Sequence, residues 1–264
     1  MMKVVTLSSS SKGNSVLVCG ENTNILIDAG ISLNTLIEKL KLLDVDTSSI
    51  KAILSTHEHS DHSKSVGPFM RKYGALLYCH HDGVQAMVSK IGNVDQSKIF
   101  YFYEQEFAID EFVIKPFKLP HDSVTCCGFV IHNGGPKFAY ATDLGFASEQ
   151  TIENLKNCKL VILESNHDEK MLIANTNYSD HLKHRILSKN GHLSNVNCAK
   201  VVCTLATSNV KQVVLAHLSP ENNTPQLCYQ TVCEYLEAMG IAPNVNIKID
   251  VAPQNNLGTV FVIK

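Results

Sequence analysis

Short apolar runs separated by polar, turn-forming stretches set the architecture of this chain. Runs near residues 3–7, 15–19, 24–28 and 51–55 predict strands, and apolar residues at helical spacing near 33–42 and 62–73 predict helices. The second half echoes the first, with strands expected near 76–79, 98–102, 112–118, 126–132, 137–142, 159–164, 211–216, 246–250 and 258–263. Helices are expected near 148–156, 178–188, 195–207 and 225–239. Many of these strands are apolar on both faces, so each sheet needs cover on both sides. Two mixed sheets with helices outside satisfy that demand and make the chain an α/β protein.

Length and composition fit this picture. A chain of 264 residues with 44% hydrophobic content can bury one large core or two small ones. No Pro/Gly/Ser-rich linker, low-complexity tract or fixed-period repeat divides it, so residues 1–264 are expected to form a single domain. The longest apolar runs, such as Leu160-Val161-Ile162-Leu163, fall far short of a membrane span, and the stretch Met1 to Leu7 lacks a signal peptide's apolar run. Nine cysteines without a zinc-ribbon spacing fit reduced, buried thiols, with Cys126-Cys127 read as strand packing. A cytosolic protein with no membrane partner is expected. The net charge of 23 − 25 = −2 argues against a protein that coats nucleic acid through many phosphate contacts, but leaves room for a local patch.

Candidate chemistry concentrates in His57-Glu58-His59-Ser60-Asp61-His62, directly after the strand-like run Lys51 to Thr56. Histidines two apart at a strand end can aim two rings at one ion, while Asp61 and His62, as the chain turns into a helix, can aim at a second. The ligand types suit zinc, and mixed imidazole and carboxylate sets also admit manganese or iron. Two ions need more ligands than one loop supplies. His121, Asp143 and His217 each close a later strand-like run. Together they complete two sets, His57, His59 and His121 on one ion and Asp61, His62 and His217 on the other, with Asp143 able to bridge.

The order Asp, His-x-His-x-Asp-His, His, Asp, His resembles the motifs of the metallo-β-lactamase superfamily, with Asp28 in Asn24-Ile25-Leu26-Ile27-Asp28-Ala29-Gly30 as the first. The chain is more similar still to that superfamily's YycJ (WalJ, VicX) branch. This rests on Ser8 to Ser15, Glu164-Ser165-Asn166-His167-Asp168, Gly191-His192-Leu193-Ser194-Asn195 and His217-Leu218-Ser219-Pro220-Glu221-Asn222-Asn223. The resemblance covers nearly the whole chain. It implies a four-layer αββα sandwich and a metal-dependent nuclease or phosphodiesterase, with 5′-to-3′ exonuclease action on DNA. The stretch between Asp143 and His217 is too short for the inserted domain of the β-CASP nucleases, and no tRNA-gripping arm lies between His62 and His121. DNA is therefore favoured over RNA.

Two close divalent ions suit hydrolysis, because they activate a water and clamp the attacked centre. A phosphodiester offers two non-bridging oxygens to two cations, whereas a lactone or thioester carbonyl offers one. Phosphodiester hydrolysis by a metal-bound hydroxide, oriented by Asp61, is therefore placed first. A small carbonyl ester or thioester hydrolase and a metal-stabilised regulatory partner are the alternatives. His192 resembles the histidine that meets the scissile phosphate in ribonuclease Z relatives, and Glu164 the glutamate behind it; an N-cap region for His192, and a turn cap or a pair with Lys183 or Arg185 for Glu164, fit as well. Arg185, in Lys183-His184-Arg185, is either a phosphate contact or part of a solvated helix face. Asn14 lies in a segment read as a phosphate nest or, preferably, a hairpin loop whose Gly13 and Asn14 take positive φ. His167 lines the cleft or a turn, and His80, His81 and His132 are read as surface residues.

Overall fold

The computed structural model describes residues 1–264 as two seven-stranded sheets packed face to face. The first sheet is built from β1 (Met2–Ser10), β2 (Gly13–Cys19), β3 (Asn24–Ile27), β4 (Ile50–Leu54), β5 (Leu76–His80) and β6 (Ile99–Phe102), with β14 (Phe261–Ile263) beside β1. The second runs from β7 (Phe107–Ile109) through β8 (Phe112–Leu119), β9 (Cys126–His132), β10 (Lys137–Ala141), β11 (Cys158–Glu164) and β12 (Gln212–Ala216) to β13 (Lys248–Val251). In each sheet an antiparallel part passes into a parallel one, at β3–β4 in the first and at β10–β11 in the second.

Three apolar layers explain the strands without alternation. Val16, Ile27 and Leu54 of the first sheet meet Phe129, Tyr140 and Ile162 of the second in a central core. The other face of the first sheet, with Leu26 and Ile53, buries Leu36 and Leu40 of α1 (Leu33–Leu42) and Phe69 of α3 (Val66–Tyr73). The other face of the second, with Val161 and Val213, buries Val202 of α8 (Asn195–Ala206) and Val232 of α9 (Pro225–Ala238). The result is the expected αββα sandwich. No helix is long and apolar enough to cross a membrane.

Several elements differ from expectation. The helix expected over 62–73 is two, α2 (Ser60–Ser63) and α3, because Ser65 is drawn aside: its N–H donates to Ala29 O at 2.8 Å and its hydroxyl to Ile31 O at 2.5 Å. Helix α4 (Val84–Ile91) falls where no element was expected, although Val84, Met87, Val88 and Ile91 recur at helical spacing. The short α6 (Glu169–Ala174), capped by Asp168, and the three-residue β7 were also missed. Helices α5 (Glu149–Leu155) and α7 (Asp180–Leu187) lie where they were expected. Pro116 sits inside β8 beyond the reach of β7, which pairs only with Phe112–Ile114.

Gly13 and Asn14 do not take positive φ. The β1–β2 hairpin turns through Ser11 and Lys12, and Gly13 is small for another reason: a Cβ there would lie 2.7 Å from the Ile31 side chain. His80 is buried rather than exposed, its Nδ1 accepting from Asp82 N at 3.2 Å to cap a turn, while His81 stays exposed.

Candidate metal centre

The ends of β4, β8, β10, β11 and β12 meet at one edge of the sandwich, where Cys127 N donates across the sheets to Thr56 O at 3.1 Å. Each expected metal ligand follows one of these strands. Three residues there have left-handed backbone: Asp28 (φ 59°) after β3, Asp143 (φ 65°) after β10 and His217 (φ 57°) after β12. Such backbone in non-glycine residues costs on the order of 1–3 kcal/mol each and persists only where the surroundings enforce it.

All seven expected ligands converge. The rings of His57, His59 and His121 stand edge to face with centroids 4.6–5.1 Å apart. Asp61, His62 and His217 bring one ligand atom each within 4.8 Å of one another, as do His57, His62 and Asp143. The Asp143 carboxylate lies between the groups, its Oδ2 3.2 Å from His62 Nε2 and its Oδ1 3.2 Å from His217 Nε2. Burial opposes its ionisation, but the neighbouring imidazoles, His217 and His62 above all, outweigh that and hold it well below the usual carboxylate range.

Whether these residues fit metal ions is tested by the buried atoms among them that make no hydrogen bond. His57 Nε2, His217 Nε2 and Asp143 Oδ2 are buried and accept or donate no hydrogen bond. A buried polar atom left unpaired costs about 1–3 kcal/mol. Three of them aimed into one cleft fit cations.

The opposite nitrogens are anchored. Buried Asp28 accepts from His62 Nδ1 at 2.7 Å and from Thr56 N and Oγ1 at 2.8 Å each, and Thr56 Oγ1 in turn accepts from His57 Nδ1 at 3.0 Å. One carboxylate thus sets the tautomers of two ligands from different groups, as outer-shell partners of metal-bound histidines do. His121 Nδ1 donates to Gly191 O at 3.2 Å, and His217 Nδ1 to Asn14 Oδ1 at 3.1 Å. The loop also depends on Gly30, where a Cβ would lie 1.6 Å from Asp61 O.

Asn14, expected in a phosphate nest or a hairpin loop, lies beneath the ligands instead of at the surface. It is buried, its amide nitrogen donating to Ser10 O at 2.9 Å and lying 3.1 Å from His62 Nε2, so it positions ligands. His167, expected to line the cleft or a turn, is also buried: its Nδ1 lies 3.3 Å from Asn166 Oδ1, and burial pushes its imidazole down to about 4. Arg185 is half exposed beside the cleft and pairs through Nε with Asp122.

Glu164 is fully buried beside His192, whose Nδ1 donates to Oε1 at 2.8 Å; Oε2 accepts from Leu144 N and Leu193 N at 3.0 and 2.9 Å. Lys183 and Arg185 bond elsewhere, to Ile173 O and Asp122. Burial disfavours charge on His192, but the Glu164 carboxylate outweighs it and lifts the imidazole to about 9.

Sequence reasoning missed the supporting network. Thr56 carried no signal beyond its place beside the ligands, and Ser9, whose hydroxyl accepts from His217 N at 2.8 Å, stood in the Ser8 to Ser15 motif with no role of its own. Ser165, Asn195 and Asn223 interlock through hydrogen bonds of 2.8–3.0 Å, which joins three of the short motifs into one buried cluster.

A sequence model of the beta-lactamase superfamily domain matches residues 23–218. The chain belongs to the metallo-β-lactamase superfamily. Exodeoxyribonuclease YycJ of Bacillus anthracis is 33% identical over 235 residues, covering 89% of each chain. Exodeoxyribonuclease WalJ of Streptococcus pneumoniae serotype 2 (strain D39) is 32% identical over 255 residues, covering 95% of this chain and 94% of that one. Among solved structures, the metallo-beta-lactamase fold protein YhfI from Bacillus subtilis shares the fold, with a TM-score of 0.75 over 98% of both chains at 18% identity. Family and site together make this a metal-dependent hydrolase whose cleft suits divalent cations.

Proposed function

We propose that this chain is a two-metal phosphodiesterase that shortens DNA from its 5′ end, working as one domain over residues 1–264 in the cytosol. The observation that carries this reading is the set of buried atoms that make no hydrogen bond, His57 Nε2, His217 Nε2 and Asp143 Oδ2, clustered with the other imidazole and carboxylate groups at one edge. His57, His59 and His121 would hold one ion, Asp61, His62 and His217 the other, with Asp143 shared. The imidazole-rich set suits zinc first, then manganese or iron. Bound there, the ions would supply a water of near-neutral pKa and charge stabilisation for the attacked phosphate.

The chain's own residues supply the rest. Asp61, whose side chain is 23% exposed, is the ligand carboxylate open to solvent and so placed to accept a hydrogen bond from the attacking water. His192, with 20% of its side chain exposed and Nδ1 held by Glu164, presents Nε2 as a donor to the leaving oxygen. General acid help of this kind is worth about a hundred- to ten-thousandfold in rate. The space beside His192 is lined mainly by polar residues, including Ser11, Asn166 and Arg185, which favours a phosphodiester over a small apolar ester. Solvent reaches His59, Asp61 and His192, which argues against a sealed structural metal site.

The names of the two exodeoxyribonuclease relatives favour DNA over RNA. Labelled single- and double-stranded DNA and RNA, bis-p-nitrophenyl phosphate and a thioester, each assayed with zinc, manganese and iron, test the reading. Metal-dependent DNA shortening and phosphodiester cleavage are expected. Thioester hydrolysis with no phosphodiester cleavage under any metal would reverse it.

A further inference from the structure

Beside His192 lies a cavity of about 250 Å³ with a mixed lining. Tyr178, with Leu182 and Ile186 of α7, gives it aromatic and apolar surface. Hydroxyl and amide groups come from Ser11 of the β1–β2 turn, Asn166 after β11 and Ser219 after His217, the last beside the Tyr178 hydroxyl. Asn166 is fixed in place, its Nδ2 donating to Ser11 Oγ at 3.0 Å and to His217 O at 2.8 Å. At the rim, Arg185 donates to Asp122 through Nε, and no other protein acceptor engages its terminal nitrogens. At the metal end, His192 Nδ1 stands 3.7 Å from Asp143 Oδ1.

This arrangement has the chemistry of a nucleotide. A base of any identity stacks on an aromatic face, since each has a π surface, while polar groups in the same lining meet its sugar and edge. Arg185, already oriented by a carboxylate, offers its remaining N–H groups to a phosphate. The volume lies just below the range of about 300–1,000 Å³ usual for ligand pockets, which suits one nucleotide and not two.

We propose that this cavity is the receiving site for the terminal nucleotide of a DNA strand, the nucleotide whose 3′-oxygen is the leaving group. The inference rests on the phosphodiesterase reading and assigns it a step of one nucleotide. In each turnover the oxygen of water bonds to phosphorus and the P–O3′ bond breaks, with its electron pair staying on O3′. His192 gives that oxygen a proton, and the proton lost by water restores His192. The released mononucleotide remains on Tyr178 with a new 3′-hydroxyl and its 5′-phosphate toward Arg185, and the shortened strand carries a new 5′-phosphate.

Calorimetric titration of the zinc-loaded protein with deoxyadenosine 5′-monophosphate, and separately with inorganic phosphate, tests the site without turnover. The nucleotide is expected to bind one per chain and at least tenfold more tightly than phosphate. Tyr178→Ala and Leu182→Glu should each weaken the nucleotide at least tenfold and phosphate less than twofold, while Tyr178→Phe, which keeps the stacking face, should bind as the unaltered chain does. Nucleotide binding no tighter than phosphate, or unchanged in both Tyr178→Ala and Leu182→Glu, would overturn the proposal. Failure of the phosphodiesterase reading shows separately, as intact nucleotide binding with no cleavage of bis-p-nitrophenyl phosphate.

Discussion

The two sheets have the same number of strands and the same passage from antiparallel to parallel pairing, yet they hold the cleft in different ways. The first delivers His57, His59, Asp61 and His62 from one loop after β4. The second delivers His121, Asp143 and His217 singly, after β8, β10 and β12. A contiguous ligand set depends on the shape of one loop. A distributed set depends on the register of several strands and on backbone strain at their ends. Asn14 of β2 joins the two arrangements by holding His217 through the nitrogen that faces away from the cleft, while Asp28 holds His62 in the same way within the first.

The largest effect is expected where the loop of the first sheet has no room to adjust. In Gly30→Ala the added methyl would overlap Asp61 O, a backbone atom, so the whole ligand loop must shift. Overpacking of this kind costs about 1–3 kcal/mol and sometimes more, and backbone overlap belongs at the upper end. Thermal melting should fall by roughly 10 °C, taking about 2–4 °C per kcal/mol, with metal content reduced as well. An unchanged melting temperature with full metal content would show that the loop is not rigid.

Next comes the flank of the second sheet. His192→Ala should lower turnover on a nucleotide 3′-oxygen by about a hundred- to ten-thousandfold, with a much smaller loss on p-nitrophenolate, which leaves without a proton. Metal content should be unchanged. As a general acid His192 works protonated, so turnover falls as pH rises through its pKa. That value is raised to about 9 by Glu164, and cations bound nearby would lower it. Glu164→Gln removes the charge that raises it, so the alkaline limb of the kcat profile should move to lower pH. Equal losses on both leaving groups, or a limb that stays in place, would leave His192 with phosphate binding alone.

The contrast between the sheets also decides what was legible in the sequence. Four ligands in six residues after an apolar strand read directly as a metal loop, and the apolar runs gave nearly every strand. The distributed ligands His121, Asp143 and His217 could be found only because each ends a strand. Apart from α4, whose helical spacing is present in the sequence, what escaped lies in side-chain directions that no linear pattern encodes. Asn14 and His167 stand in polar motifs that suggest substrate contact, yet their strand and turn geometry points both inward. Thr56 relays a hydrogen bond from His57 to Asp28 across separate strands, and the break between α2 and α3 is set by bonds to Ala29 and Ile31. Short elements such as α6 and β7 hold too few residues for periodicity to show.

Smaller effects separate the two anchors. Loss of an outer-shell partner typically costs about ten- to a hundredfold in metal affinity. Asp28→Asn should fall at the upper end, since it removes a charge that acts on His62 directly and on His57 through Thr56. Asn14→Ala removes only neutral contacts, the acceptor for His217 Nδ1 and the amide beside His62 Nε2, and should fall at the lower end. Competition with a fluorescent zinc chelator measures both, and a greater loss in Asn14→Ala would reverse the ranking of the two anchors.

The central claim, that both sheets contribute to a shared two-metal cleft, is tested most directly by counting metal in protein reconstituted with zinc and freed of excess by gel filtration. Elemental analysis should give two ions per chain, falling to one or fewer in His217→Ala. At most one ion per chain in the fully reconstituted protein, unchanged by His217→Ala, would contradict the account.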